Sequence, residues 1–245
     1  MTVSAYSETV SELLDRRARK KAQTREQIRR IAHRLFHERG FDAVTIADVA
    51  RQADVAVQTV FNHFATKEEL FFDGRAGWVD GAAAAVRDRA EGVTPLGALR
   101  EHLMSTVTWY LDALTDPEFR AGVATLEASQ ALCAHERELH HESVIRLSEA
   151  LAATSDSDSG TVVSRIAATL IAATWMGAMR ALLIEQRALL LEGAGSPDLT
   201  AAVTQLAARV LEQFEGNLDL GPAAAVTPLH QTAVTGWPVQ VGRAG

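Results

Sequence analysis

Residues 45–70, TIADVARQADVAVQTVFNHFATKEEL, admit few folds. Their apolar positions have helical rather than alternating spacing, yet the stretch is too interrupted for one long helix. Thr45 with Asp48 forms a capping box that opens a short helix to about Ala53, and Val44 is placed to staple onto Val49. Asp54 then falls in a turn, where Asp tolerates the left-handed backbone better than most residues. A further helix is expected over about Val57–Phe64, with Val60, Phe61 and Phe64 available for packing and Phe61 assigned to the core. Thr66 with Glu69 forms another capping box and opens a longer helix. A short helix, a tight turn and a second short helix make helix-turn-helix geometry.

The flanks extend this pattern. Ile28, Ile31, Ala32, Leu35 and Phe36 fall on one helical face, Thr24 with Gln27 has capping-box spacing, and Gly40 is a suitable stop. These residues predict a helix over 24–39, preceded by a polar, partly helical leader. Beyond Leu70 the expected helices are 67–90, 95–115, 117–131, 133–153, 160–193 and 197–215, broken by Gly92–Pro95, Asp116–Pro117, TSDSDSG and GAGSP. Alanine runs and an aromatic content of 6% favour helix, and no useful strand alternation or internal repeat appears. The reading is an all-α chain in four parts. These are a basic N-terminal arm (1–23), a three-helix unit containing the helix-turn-helix (24–70), a helical body (71–217), and a tail (218–245) expected to be disordered.

Charge narrows the function classes. Between Arg16 and Arg39 ten Lys/Arg stand against two acids, a balance of +8 in a chain whose net charge is −7, which leaves −15 for the rest. A basic block on an acidic body suits a polyanion met by one end only. The single cysteine, Cys133, excludes an internal disulfide framework and fits a reducing cytosol. Residues 1–15 contain no apolar signal core. Within the expected helices the longest uncharged stretch, 166–179, has 14 residues, too few for a bilayer. The expected location is the cytoplasm, with no membrane partner.

A helix-turn-helix lays its second helix in the DNA major groove while flanking elements grip phosphates. With Val60 and Phe64 turned inward, Val57, Gln58 and Asn62 face largely outward. Gln and Asn read base edges through paired hydrogen bonds, and Val packs against a thymine methyl. Thr45 and Lys67 sit at helix starts, where backbone amides and the dipole favour a phosphate.

Residues 24–70 resemble the DNA-binding domain of the TetR family of bacterial transcriptional regulators. The elements that carry the resemblance are A..LF.ERGFDAVTIADVA (32–50) and VQTVFNHFATKEEL (57–70), together about a fifth of the chain. The resemblance implies phosphate contacts from Thr45, His63 and Lys67, and places Val57, Gln58, Thr59 and Asn62 near bases or adjacent backbone. It also implies a homodimer on a palindromic double-stranded operator, and most often a repressor released by a small molecule. Three positions depart from the family pattern. Asp54 stands where Gly is usual, Ala56 where Ser or Thr often caps the helix, and Phe61 where Tyr is common.

In the body, 160–193 is apolar nearly all round, and with the last helix it predicts a four-helix interface between two copies. Trp78, Met104, Trp109, Tyr110, Trp175, Met176 and Met179 are the expected lining of an effector cavity, implying a largely apolar ligand. Glu138 with His141, or Glu136 with His140, has helical spacing for metal ligands. No compact ligand set appears, so the segment reads as a polar exposed face, with no metal and no cofactor expected. His33 and His37 are read as surface residues. The competing functions are a ligand-independent DNA-binding dimer and a helical enzyme. No nucleophile motif or phosphate-cradling loop supports catalysis, so no catalytic residue is assigned.

Overall fold

The computed structural model describes residues 3–73, 77–154 and 162–217, with side chains over 16–73, 77–154 and 164–212. All regular structure among them is helical. The helices are α1 (Val3–Arg39), α2 (Ile46–Gln52), α3 (Val57–Phe61), α4 (Lys67–Phe72), α5 (Gly77–Arg87), α6 (Pro95–Ala113), α7 (Pro117–Glu127), α8 (Gln130–Ala152), α9 (Val162–Met179), α10 (Arg187–Glu192) and α11 (Pro197–Asn217). A π-helical turn, Arg180–Ile184, joins α9 towards α10. The tail expected to be disordered lies outside the described residues.

Two hydrophobic cores organise these helices. The first joins Ile28, Ala32, Leu35 and Phe36 of α1 to Val49 and Ala50 of α2, Val60 of α3, Phe64, and Leu70, Phe71 and Phe72 of α4. It also takes in Leu126 of α7 and Leu132 of α8, so the corner between those helices is built into the reader's core. Ser129, buried at that corner, donates to the Asp42 carboxylate across 2.9 Å. The second core packs Ala82, Ala83 and Val86 of α5 with Leu103 and Val107 of α6, Leu147 of α8, Ala172, Trp175 and Met176 of α9, and Leu211 of α11.

Several expected boundaries move. α1 does not begin at Thr24 but passes through it: the Thr24 hydroxyl donates to the Lys20 carbonyl at 3.0 Å, and Gln27 Nε2 donates to the Ala53 carbonyl. The Ala-, Arg-, Lys- and Glu-rich leader contains no Gly or Pro to stop a helix, so the capping spacing at 24 goes unused. The helix expected over 67–90 is interrupted. α4 ends at Phe72, and Asp73 adopts an extended backbone (φ −60°, ψ 136°) with its carboxylate held by Arg25 at 2.6 Å. The helix expected over 160–193 is likewise not continuous. Its π turn adds a residue to the helical repeat, and Arg187 beyond it points into the body.

Ser164–Ile184, with a mean hydropathy of 1.5, is long and apolar enough by length and composition to cross a membrane. Its Ala172, Trp175 and Met176 are nevertheless buried in the body's core, as in a packed helix of a folded domain. Ala172, on the helix expected to pack against its copy in a second chain, is thus internal to one chain.

Candidate nucleic-acid interface

The turn between α2 and α3 forms as its residues dictate. Thr45 caps α2: its hydroxyl accepts from the Asp48 amide at 3.1 Å, and Asp48 accepts from the Thr45 amide at 3.1 Å. The Thr45 hydroxyl also donates to Asp48 at 2.6 Å. That hydrogen bond, ahead of the backbone one and the nearby Arg51, holds the Asp48 carboxyl below its usual range. Asp54 takes φ +53°, the only positive φ at a described residue other than glycine. This is the conformation glycine adopts readily and Asp tolerates.

α3 is one and a half turns long and amphipathic. Val60 and Phe64 are buried, while Val57, Gln58, Phe61 and Asn62 form one outward face. Gln58 Nε2 donates to Asn62 Oδ1 at 3.2 Å. The two amides are therefore aligned side by side, with the Gln58 carbonyl oxygen and the Asn62 N–H groups left for an outside partner. Thr59 and His63 flank this face, both half-buried. Phe61 corrects the sequence expectation: it is 45% exposed and not in the core, because the inward face of so short a helix is filled by Val60 and the following Phe64.

Ala56 is the N-cap of α3 and makes no side-chain cap. Ala56→Ser should raise stability by about 0.5–2 kcal/mol, read from urea denaturation curves. No gain would mean that the α3 amides already have adequate partners in solution.

Arg25 ties the reader together. Its guanidinium donates to the His63 carbonyl and to Asp73, and lies 4.2 Å from the Phe64 ring centroid. No local pattern signals this role, since both hydrogen-bond partners are distant in the chain. His63 Nδ1 is buried without a hydrogen-bond partner. Burial, then the charges of Lys21 and Arg25, push the His63 imidazole below its usual pKa. Lys67 is engaged rather than free. Its ammonium donates to the carbonyls of Phe41 (2.9 Å) and Val44 (3.0 Å) and sits over the Phe41 ring, leaving one N–H for a phosphate. At the Thr66 cap, Glu69 reaches back to the Ala65 amide, one residue earlier than a standard box.

Five of the seven expected effector residues, Met104, Tyr110, Trp175, Met176 and Met179, lie in or against the body's core. Trp175 and Met176 are core, and Trp78, Met104, Tyr110 and Met179 are half-buried. Trp109 is 60% exposed, edge-on to Phe119, which corrects its assignment to a cavity wall. A cleft of about 790 Å³ lies instead between α1 and α7, with Arg30, His33 and Arg34 on one side and Glu118 and Phe119 on the other. None of the seven residues lines it. Glu136, expected on an exposed face, is buried and accepts from Arg187 Nη2 at 2.8 and 2.9 Å. Glu127 lies 3.4 Å from the same guanidinium. No group of three metal-ligating side chains converges among the described residues.

Residues 28–73, the segment that builds this reader, match the model of the bacterial regulatory proteins, tetR family. Over these residues the chain is similar to the TetR family. The chain is also similar to the HTH-type transcriptional regulator TcmR of Streptomyces glaucescens, 35% identical over 83 residues, covering 34% of this chain and 37% of the relative. The HTH-type transcriptional regulator TtgR of Pseudomonas putida is 37% identical over 105 residues, covering 41% and 50%. The HTH-type transcriptional repressor KstR2 of Mycobacterium tuberculosis is 31% identical over 94 residues, covering 38% and 47%. The chain spans about half or less of the length of each of these three relatives.

Proposed function

We propose that this chain is a cytoplasmic, sequence-specific transcriptional regulator of the TetR family and not an enzyme. It binds a palindromic double-stranded operator as a homodimer and is released as a repressor when a small molecule binds its body. The observation that carries this reading is the outward face of α3, where Gln58 and Asn62 stand aligned on a helix-turn-helix scaffold. Thr45, His63 and Lys67 flank it as phosphate contacts, with Val57 and Thr59 beside the base-reading amides. Exposed Phe61 adds an apolar edge to that face.

Binding-site selection tests the assignment. Gln58→Ala and Asn62→Ala should each change the preferred operator, at about 1–3 kcal/mol for each base hydrogen-bonding pair removed. An unchanged motif in both variants would remove α3 as the reading helix.

For the dimer, Ile166, Leu170, Ala173 and Gly177 form an exposed stripe along α9, and Leu206 of α11 is exposed as well. An effector of largely apolar character would meet Met104 and Met179, with the half-buried Tyr110 phenol as a polar handle. A ligand-independent dimer is the second reading, favoured by the absence of all seven expected cavity residues from the lining of the α1/α7 cleft. A ligand-dependent rise in melting temperature together with loss of operator binding separates the two.

A further inference from the structure

α1 is unbroken from Val3 to Arg39, but the reader's core uses it only from Ile28 onward. Residues 16–23, ahead of that core, are all exposed. From Arg16 to Arg25 the chain carries six basic residues and no acid. They are not scattered around the helix. Arg17, Lys21 and Arg25 recur every fourth residue and continue the stripe of Ile28, Ala32 and Leu35 that packs on the reader. A cationic stripe therefore leaves the reader on the side where its other helices lie.

The position of that exit is set by Arg25, bonded to the His63 carbonyl just beyond the end of α3. Lys21, one turn further out, is close enough for its charge to act on the His63 ring. At about 1.5 Å per residue, Arg16 to Arg25 spans roughly 14 Å, enough to follow several phosphates of one strand. Like charges at i,i+4 (Arg16/Lys20, Arg17/Lys21, Lys21/Arg25) destabilise an isolated helix, and a polyanion alongside relieves that repulsion.

We propose that residues 16–21 of α1 form a second DNA-contacting element, a basic helix gripping phosphates beside the C-terminal end of α3. The inference rests on the reading of α3 as the DNA-reading helix. It specifies backbone contact and excludes an arm threaded into the minor groove. A helix with its side chains is about 10–12 Å across, whereas the minor groove is about 6 Å wide. The contact adds grip and salt dependence without adding base preference.

The test uses the full chain on a duplex recovered by binding-site selection, with affinity measured against NaCl concentration. Arg16, Arg17, Lys20 and Lys21 are replaced together by Gln, which keeps similar helix propensity, and circular dichroism checks that the helix persists. The expected result is a salt slope flatter by at least about 2, at about 0.9 for each phosphate no longer neutralised, with the selected motif unchanged. An unchanged slope with the helix intact overturns the proposal. So does a changed motif with netropsin displacing the wild-type segment, which would put it in the minor groove. If Gln58→Ala alters the motif while the quadruple variant keeps its slope, the DNA-reading function stands and the basic helix falls. A wild-type chain with no salt-dependent duplex binding removes both.

Discussion

Glu136→Leu should destabilise the body by about 3–5 kcal/mol, the cost of leaving a buried charge without its partner. Arg187 is 3% exposed and Glu136 7%, and the guanidinium reaches both carboxylate oxygens within 2.9 Å. The reciprocal Arg187→Leu should cost a similar amount, because Glu136 then stays buried with its charge unmatched. Glu127, 3.4 Å from Arg187 and itself 45% exposed, offers the arginine partial compensation, so Glu136→Leu should be the milder of the two. The double variant Arg187→Met with Glu136→Leu should recover most of the loss, since an apolar pair of similar volume removes both desolvation penalties. Urea denaturation of the four proteins gives the coupling directly. Single losses under about 1 kcal/mol, well below the cost of breaking a buried pair, would mean that water reaches this pair in solution.

That pair also marks where sequence reading stops. The turn from α2 to α3 is legible because its determinants are local: Thr45 and Asp48 cap each other, and Asp54 supplies the left-handed residue. The all-helical class and the starts of α6, α7 and α11 are legible for the same reason, each opening at a proline. Features decided by distant partners are not. Periodicity carries α4 through Asp73, but the Arg25 guanidinium holds that carboxylate where the helix has ended. Periodicity likewise runs one helix across 160–193, whereas the π turn resets the register and delivers Arg187 to a glutamate on α8. At the candidate interface, Gln58 and Asn62 face outward as expected from the inward Val60 and Phe64. Phe61 misleads because its hydrophobicity argues for the core, while its position between those two inward residues turns it to solvent. Lys67 sits at a helix start as expected, but its two carbonyl partners lie in the loop after α1, beyond any local signal. Lys67→Ala would therefore loosen that loop as well as remove a cation.

The outward stripe of α9 makes the proposed dimer testable without an operator. Leu170→Glu, at a position 62% exposed in the single chain, should leave the helical content and the body's core intact while shifting sedimentation to monomer. In a two-fold interface each substitution enters twice, so two unpaired carboxylates face one apolar contact, and desolvating them without partners opposes association strongly. Ala173→Glu, also exposed and three residues along the same stripe, should act alike. Ala172→Glu is the contrast: Ala172 is fully buried within one chain, and a carboxylate there should unfold the body whatever its oligomeric state. Operator binding should weaken in the Leu170 variant, since a monomer engages one half-site where a dimer holds two about 34–36 Å apart. If Leu170→Glu and Ala173→Glu both sediment as dimers of unchanged stability, the stripe is not the interface, and the copies meet through another surface.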